Sequence, residues 1–210
     1  MPLQNRVRPD GEIITDPARG LFMGNRGGRL HDAERKLGVR RHVNRAWICC
    51  RIAFKDRKRQ VMGDGYTELF FLDEATALAA GHRPCFECRH AEAVQFATLW
   101  NTVRGQSDRA RAAEIDDVLH GERLTGGGTK RTWRADLAAL PDGAFVLTED
   151  CMALKAGLQL APWTPSGYLA PQSAGSLGLG AGLVDVLTPP AIIAVLGAGY
   201  RPKLHDTAPH

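Results

Sequence analysis

No run of apolar residues in this 210-residue chain approaches the roughly 20 needed to cross a membrane as a helix. The longest, Ala191–Leu196, suits a buried strand or a short helix. Met1–Arg8 is polar and lacks the apolar stretch of a secretory signal. Cysteine is sparse. There are five, an odd number with Cys49 and Cys50 adjacent, which argues against the closed disulfide framework of a small secreted domain. No internal repeat is visible. The Gly-rich segment Met23–Arg29 lacks the Lys-Ser/Thr ending of a P-loop, which argues against a nucleotide triphosphatase. Ser166 has no nucleophile-elbow context, so a serine hydrolase is not proposed. These absences lead to the expectation of a cytoplasmic protein that does not enter a membrane.

What is present begins with charge. Residues 1–60 carry 15 Lys/Arg against 6 Asp/Glu, whereas residues 61–150 carry 9 against 15. A basic first quarter on a chain of formal net charge +4 suits contact with a polyanion, most simply nucleic acid. With 44% hydrophobic residues the chain can also bury a real core.

Patterning predicts an α+β protein. Residues 1–30 read as loop-like, Ala33–Leu37 as a short helix, and Ala46–Phe54 with Arg57–Met62 as a hairpin turning at Lys55-Asp56. Tyr66–Leu72 reads as a strand leading into a helix over 74–80, which Asp73 caps and Gly81 stops. The spacing of Ala91, Val94, Phe96, Ala97 and Trp100 fits a further helix, and Glu114–Leu124 another that ends at Gly126-Gly127-Gly128. From Thr129 the texture turns β-rich: Thr132–Ala135, Ala144–Thr148, Cys151–Leu154, Leu158–Trp163 and Val184–Leu187 alternate with Pro/Gly turns. The expected organisation is a basic zinc-binding region over 1–104, a helical connector over 105–128 and a β-rich region over 129–210. Shared apolar faces would also allow one integrated domain.

The most informative stretch is Ala77-Leu78-Ala79-Ala80-Gly81-His82-Arg83-Pro84-Cys85-Phe86-Glu87-Cys88-Arg89. Its C-x2-C spacing lets two thiolates from one turn occupy adjacent corners of a tetrahedral zinc site. The phrase resembles the end of the metal-binding domain of the Ada alkylation-repair proteins, in which a helix ending Ala-Gly-(aromatic)-Arg-Pro-Cys-x-x-Cys supplies the second ligand pair. Trp47-Ile48-Cys49-Cys50-Arg51 is similar to that family's strand, where a cysteine followed by Arg opens the first pair. The resemblance spans about residues 45–90. It implies Zn2+ as cofactor, Cys50, Cys85 and Cys88 as ligands, and a role in DNA damage or modification. In the family the cysteine at the place of Cys50 also accepts a methyl group from a DNA phosphotriester.

The family's first pair is C-x3-C, yet Phe54 stands four residues after Cys50. A fourth ligand must come from elsewhere. His31 is the expected one, with Cys49 or His42 as alternatives. Neighbouring strand residues point to opposite faces, which disfavours Cys49 and Cys50 on one ion.

Around the expected zinc site, Arg26, Arg29, Arg51, Lys55, Arg57, Lys58 and Arg59 are the expected phosphate contacts, with Trp47 as a stacking surface. The alternative to a nucleic-acid-binding protein is an enzyme on nucleic acid or a nucleotide-like substrate. Its candidate catalytic residues are Asp116, His120 and Glu122, because a helix brings Asp116 and His120 onto one face. A second alternative is a zinc-stapled protein-interaction module.

Overall fold

The computed structural model describes residues 1–58, 60–107, 109–180 and 182–209. Its architecture is α+β with a β-rich C-terminal half, arranged around one short helix, α1 (Glu74–Ala79). Asp73 caps it as the sequence predicts: its Oδ1 accepts from the Thr76 amide at 2.9 Å and the Thr76 hydroxyl at 2.8 Å. Every residue of α1 is buried. Its alanines carry no bulk, so layers approach from several sides.

One layer is a six-stranded sheet in the order β2-β1-β5-β3-β4-β6. It comprises β1 (Gln4–Val7), β2 (Ile13–Thr15), β3 (Phe22–Arg26), β4 (Trp47–Arg51), β5 (Leu69–Phe71) and β6 (Arg83–Pro84). The β3–β4 ladder is antiparallel and pairs Met23 with Cys50 and Arg26 with Trp47, while β6 adds in parallel beside Ile48 and Cys49. Val7, Phe22, Leu69 and Phe71 close on Ala77 and Ala80 of the α1 segment.

The second sheet runs β11-β10-β9-β8-β12-β7. Its strands are β7 (Trp133–Asp136), β8 (Phe145–Leu147), β9 (Met152–Ala156), β10 (Gln159–Thr164), β11 (Gly167–Tyr168) and β12 (Leu183–Val186). Phe145, Leu154, Ala161 and Tyr168 pack on Ala75 and Ala79. The helices α2 (His90–Thr102), α3 (Ala112–Arg123) and α4 (Pro190–Gly197) form the remaining layer, in which Phe96, Trp100, Leu119 and Val195 meet Leu78.

The two acidic residues at the start of α1 tie the C-terminal tail down. Tyr168 donates to Asp73 at 2.7 Å, and Tyr200 donates to Glu74 at 2.6 Å. The Lys203 and His205 amides donate to the same two carboxylates. Glu74 also pairs with the buried guanidinium of Arg89 at 2.8 Å. Burial pushes the Asp73 carboxyl up, against the bonds that favour its ion.

The N-terminal region departs from expectation. Residues 1–30 hold three strands rather than a loop. The residue that disguises β3 is Gly24, and it is required there: a Cβ would lie 2.0 Å from the Ile48 carbonyl and 2.9 Å from the Phe71 ring. Residues 33–37 form a turn closed by a His31–Leu37 bridge, not a helix. No strand forms among the described residues of 57–62. Lys55 adopts φ 52°, so the chain leaves the sheet after β4, and β3 and β6 take the partner places.

Candidate metal centre and its cationic surroundings

The β3–β4 ladder organises two chemically different faces. Side-chain alternation along β4 sends Ile48 and Cys50 to one face and Trp47 and Cys49 to the other. On the first face the turn after β6 delivers Cys85 and Cys88. The sulfurs of Cys50, Cys85 and Cys88 lie within 4.8 Å of one another and are buried. Thiolates on a tetrahedral zinc, with Zn–S near 2.3 Å, sit about 3.8 Å apart, so the trio fits a single ion with little adjustment.

The backbone is arranged for anionic sulfur. The Arg51 amide donates to Cys88 Sγ at 3.3 Å, and the Glu87 and Cys88 amides favour the Cys85 thiolate. The three thiols lie close enough to perturb one another. Bonds with Cys50 and Cys88 pull the Cys85 thiol well below its ordinary range, and bonds with Cys85 and Cys88 push Cys50 far up. A divalent cation would take the place of the thiol protons. No fourth His, Cys, Asp or Glu joins the group among the described residues. A cavity of about 110 Å³ opens beside it instead, lined by the three cysteines, Asn25, Arg51, Phe54, Arg57 and Tyr66. Three cysteine sulfurs with an adjoining cavity are a group that could hold a metal ion.

The expected fourth ligands lie elsewhere. His31 is buried, with Nδ1 at 2.6 Å from the Thr67 hydroxyl and Nε2 at 2.9 Å from the Gly63 carbonyl. Both ring nitrogens therefore serve the 28–67 loop contacts. Cys49, fully buried on the opposite face, accepts from Arg89 at 3.4 Å, and burial holds its thiol protonated. The His42 ring packs 5.7 Å from Trp47 and 5.4 Å from His120.

The residues expected to contact phosphate divide into two groups. Arg29, Arg51, Lys55, Arg57 and Lys58 are exposed. Arg51 reaches Glu92 at 3.5 Å, and Arg57 pairs with Glu87. Lys55 and Arg57 also stand over the Phe54 ring, at 5.1 and 5.5 Å. Phe54, four residues after Cys50, is thus a platform for cations at the lip of the cavity. Arg26 and Trp47, by contrast, are buried on the other face. Arg59 lies outside the described residues.

Asp116, His120 and Glu122 do not form a group of closely spaced metal-ligating atoms among the described residues, and each has its own contacts. Asp116 is buried in a bidentate pair with Arg83, at 2.9 and 2.8 Å. Glu122 accepts the Ala191 amide at the start of α4, at 2.9 Å, and burial raises its carboxyl. His120 faces Arg123 and His42; burial and the neighbouring Arg123 lower its imidazole.

Sequence reasoning missed what surrounds Trp47. Arg26 and Arg123 both stack on its indole, with guanidinium carbons 3.9 and 4.0 Å from the ring centroid. Gly81, with φ 87°, admits Arg123: a Cβ there would lie 2.6 Å from Arg123 Cδ. His82 lies 5.1 Å from Trp47 and receives the Arg26 Nε–H at 3.4 Å. Burial, then Arg26 and Arg123, depress its imidazole far below the usual value. The available signals were two pairings of a cation with glycines, Arg26-Gly27-Gly28 and Gly126-Gly127-Gly128 before Lys130.

Comparison with protein-family models, with curated proteins and with solved structures finds no match to this chain.

Proposed function

We propose that this is a zinc-binding protein that contacts nucleic acid, with damaged or modified DNA as the expected partner. The observation that carries this reading is one juxtaposition. The cavity beside Cys50, Cys85 and Cys88 is walled by Arg51, Phe54 and Arg57, and Lys55 and Lys58 stand exposed next to it. Neither lysine is in an ion pair with a described carboxylate. A phosphate backbone laid along this lip would meet cations over an aromatic platform, with the metal beneath. The Ada-like order of elements supports the same reading: a strand ending Cys50-Arg51, then α1, then Cys85-x-x-Cys88.

When bound, zinc would lower the charge of three clustered thiolates and keep them deprotonated at neutral pH. Cys50, Cys85 and Cys88 would hold it, the Arg51 amide would orient Cys88, and Phe54 would limit water at the open position. Among the described residues no helix is long and apolar enough to cross a membrane, and the proposal places the protein on nucleic acid.

The test is fluorescence anisotropy of zinc-loaded protein with duplex and single-stranded DNA at two salt concentrations. Binding that weakens steeply with salt is expected, and the double variant K55E/R57E should weaken it by about tenfold or more. Affinity that is absent, or indifferent to both salt and the double variant, would refute the reading.

A further inference from the structure

The opposite face of the β3–β4 ladder holds a second cavity, of about 140 Å³, lined among others by Arg26, Arg41, Trp47, Arg123 and Lys130. Arg26 and Arg123 are almost wholly buried, and neither they nor Lys130 lie within 4.0 Å of a described carboxylate. Their donors go to neutral acceptors instead, mostly carbonyls. Arg26 donates to Gly11 at 2.7 Å, Arg123 to Gly81 at 2.9 Å and Arg45 at 2.7 Å, and Lys130 to Ala79. The Nε–H of buried Arg123 has no partner at all. Asp10 and Glu12 also line the cavity, but Asp10 is engaged by Arg8 at 2.8 Å.

Buried cations are ordinarily paired, because desolvating a lone charge is costly. Arg26, Arg123 and Lys130, with the exposed Arg41 as a fourth, outnumber the two carboxylates of the cavity, and one buried guanidinium donor is unused; such an arrangement favours an anion. Burial lowers Arg26 to about 9, Lys130 to about 7 and Arg123 to about 9; neighbouring cations lower Arg26 and Lys130 further, against the carboxylates of Asp10 for both and of Glu12 for Arg26. We infer that the cavity binds a phosphate group, with Arg26, Arg123 and Lys130 as its counter-charges. A phosphate dianion accepts several donors from different directions and carries the charge three cations call for, which a planar monocarboxylate does not. The volume suits the group rather than a whole nucleotide, so a free phosphate and a terminal phosphate share this chemistry. The inference stands apart from the metal centre, which lies on the other face.

The test is calorimetric titration of the intact protein with inorganic phosphate, a nucleoside 5′-monophosphate and acetate at matched ionic strength. Saturable phosphate or monophosphate binding is expected, and whichever binds more tightly names the source. The K130Q variant alters a residue that is only half-buried and should weaken that binding by about tenfold. K155Q, on β9 of the second sheet, should leave it unchanged. Absence of saturable binding by wild-type protein would overturn the proposal. So would acetate binding as tightly as phosphate, or affinity indifferent to K130Q in a variant with wild-type melting behaviour.

Discussion

The two faces of the β3–β4 ladder treat positive charge in opposite ways. On the sulfur face the cations are exposed, and carboxylates from neighbouring elements hold two of them: Arg51 meets Glu92 and Arg57 meets Glu87. On the tryptophan face Arg26 and Arg123 are buried, and indole and carbonyl oxygens stand where carboxylates would be expected. The difference teaches where each face stores free energy. Exposed pairs contribute little to folding and remain available to a partner. Buried unpaired cations oppose folding until something compensates them. The sulfur face differs in another way, since three buried cysteine sulfurs lie close enough there to hold one metal ion.

The largest effect should come from the sulfurs. Removing metal with a chelator, or Cys85→Ser, should lower the melting temperature by about 15 °C or more, because metal binding is coupled to folding of the site. Differential scanning calorimetry of loaded, stripped and variant protein reads it directly, and a shift of only a degree or two would break the assignment. Next comes the centre between the faces. Arg89→Met strands the buried Glu74 carboxylate and should cost about 3–5 kcal/mol in chemical denaturation.

The tryptophan face should reveal itself through pH. His82 is held neutral in the fold, with a pKa far below that of the unfolded chain. As pH falls through about 6.5 the unfolded state gains a proton that the folded state does not. Stability should therefore decline from pH 7 toward pH 5, by up to about 1.4 kcal/mol per pH unit for this group. His42 and His120 shift in the same direction. Urea denaturation across that window measures the slope, and His82→Asn should flatten it; an unchanged slope would mean His82 is not the group responsible. The smallest effect belongs to the exposed rim. Arg57→Glu should leave the melting temperature within a degree or so of wild type, which sharpens the contrast with Arg89.

The C-terminal half was largely legible. Alternation and Pro/Gly punctuation place five of its six strands within a residue or two, and the miss is the two-residue β11. α1 and its cap at Asp73 could be read because capping is local chemistry. The N-terminal strands could not. Gly24 and the proline-bearing flanks carry loop signals, and only cross-strand crowding against Ile48 and Phe71 explains the glycine. At the site, Cys85 and Cys88 were legible from spacing alone, and Cys50 from the resemblance. The pairing of Arg83 with Asp116, 33 residues apart, left no local trace. The helical spacing of Asp116 and His120 suggested a constellation, and nothing in the sequence marked Asp116 as held by Arg83. Arg26 and Trp47 looked like surface contacts because burial is a tertiary property.

The most direct test is the zinc content of purified protein by inductively coupled plasma mass spectrometry, beside the Cys50→Ser and Cys85→Ser variants. About one zinc per chain in the wild type, with loss of most of it in each variant, is the predicted result. Wild-type protein that takes up no zinc even when offered an excess, or variants that retain a full equivalent, would contradict the metal centre and the reading built on it.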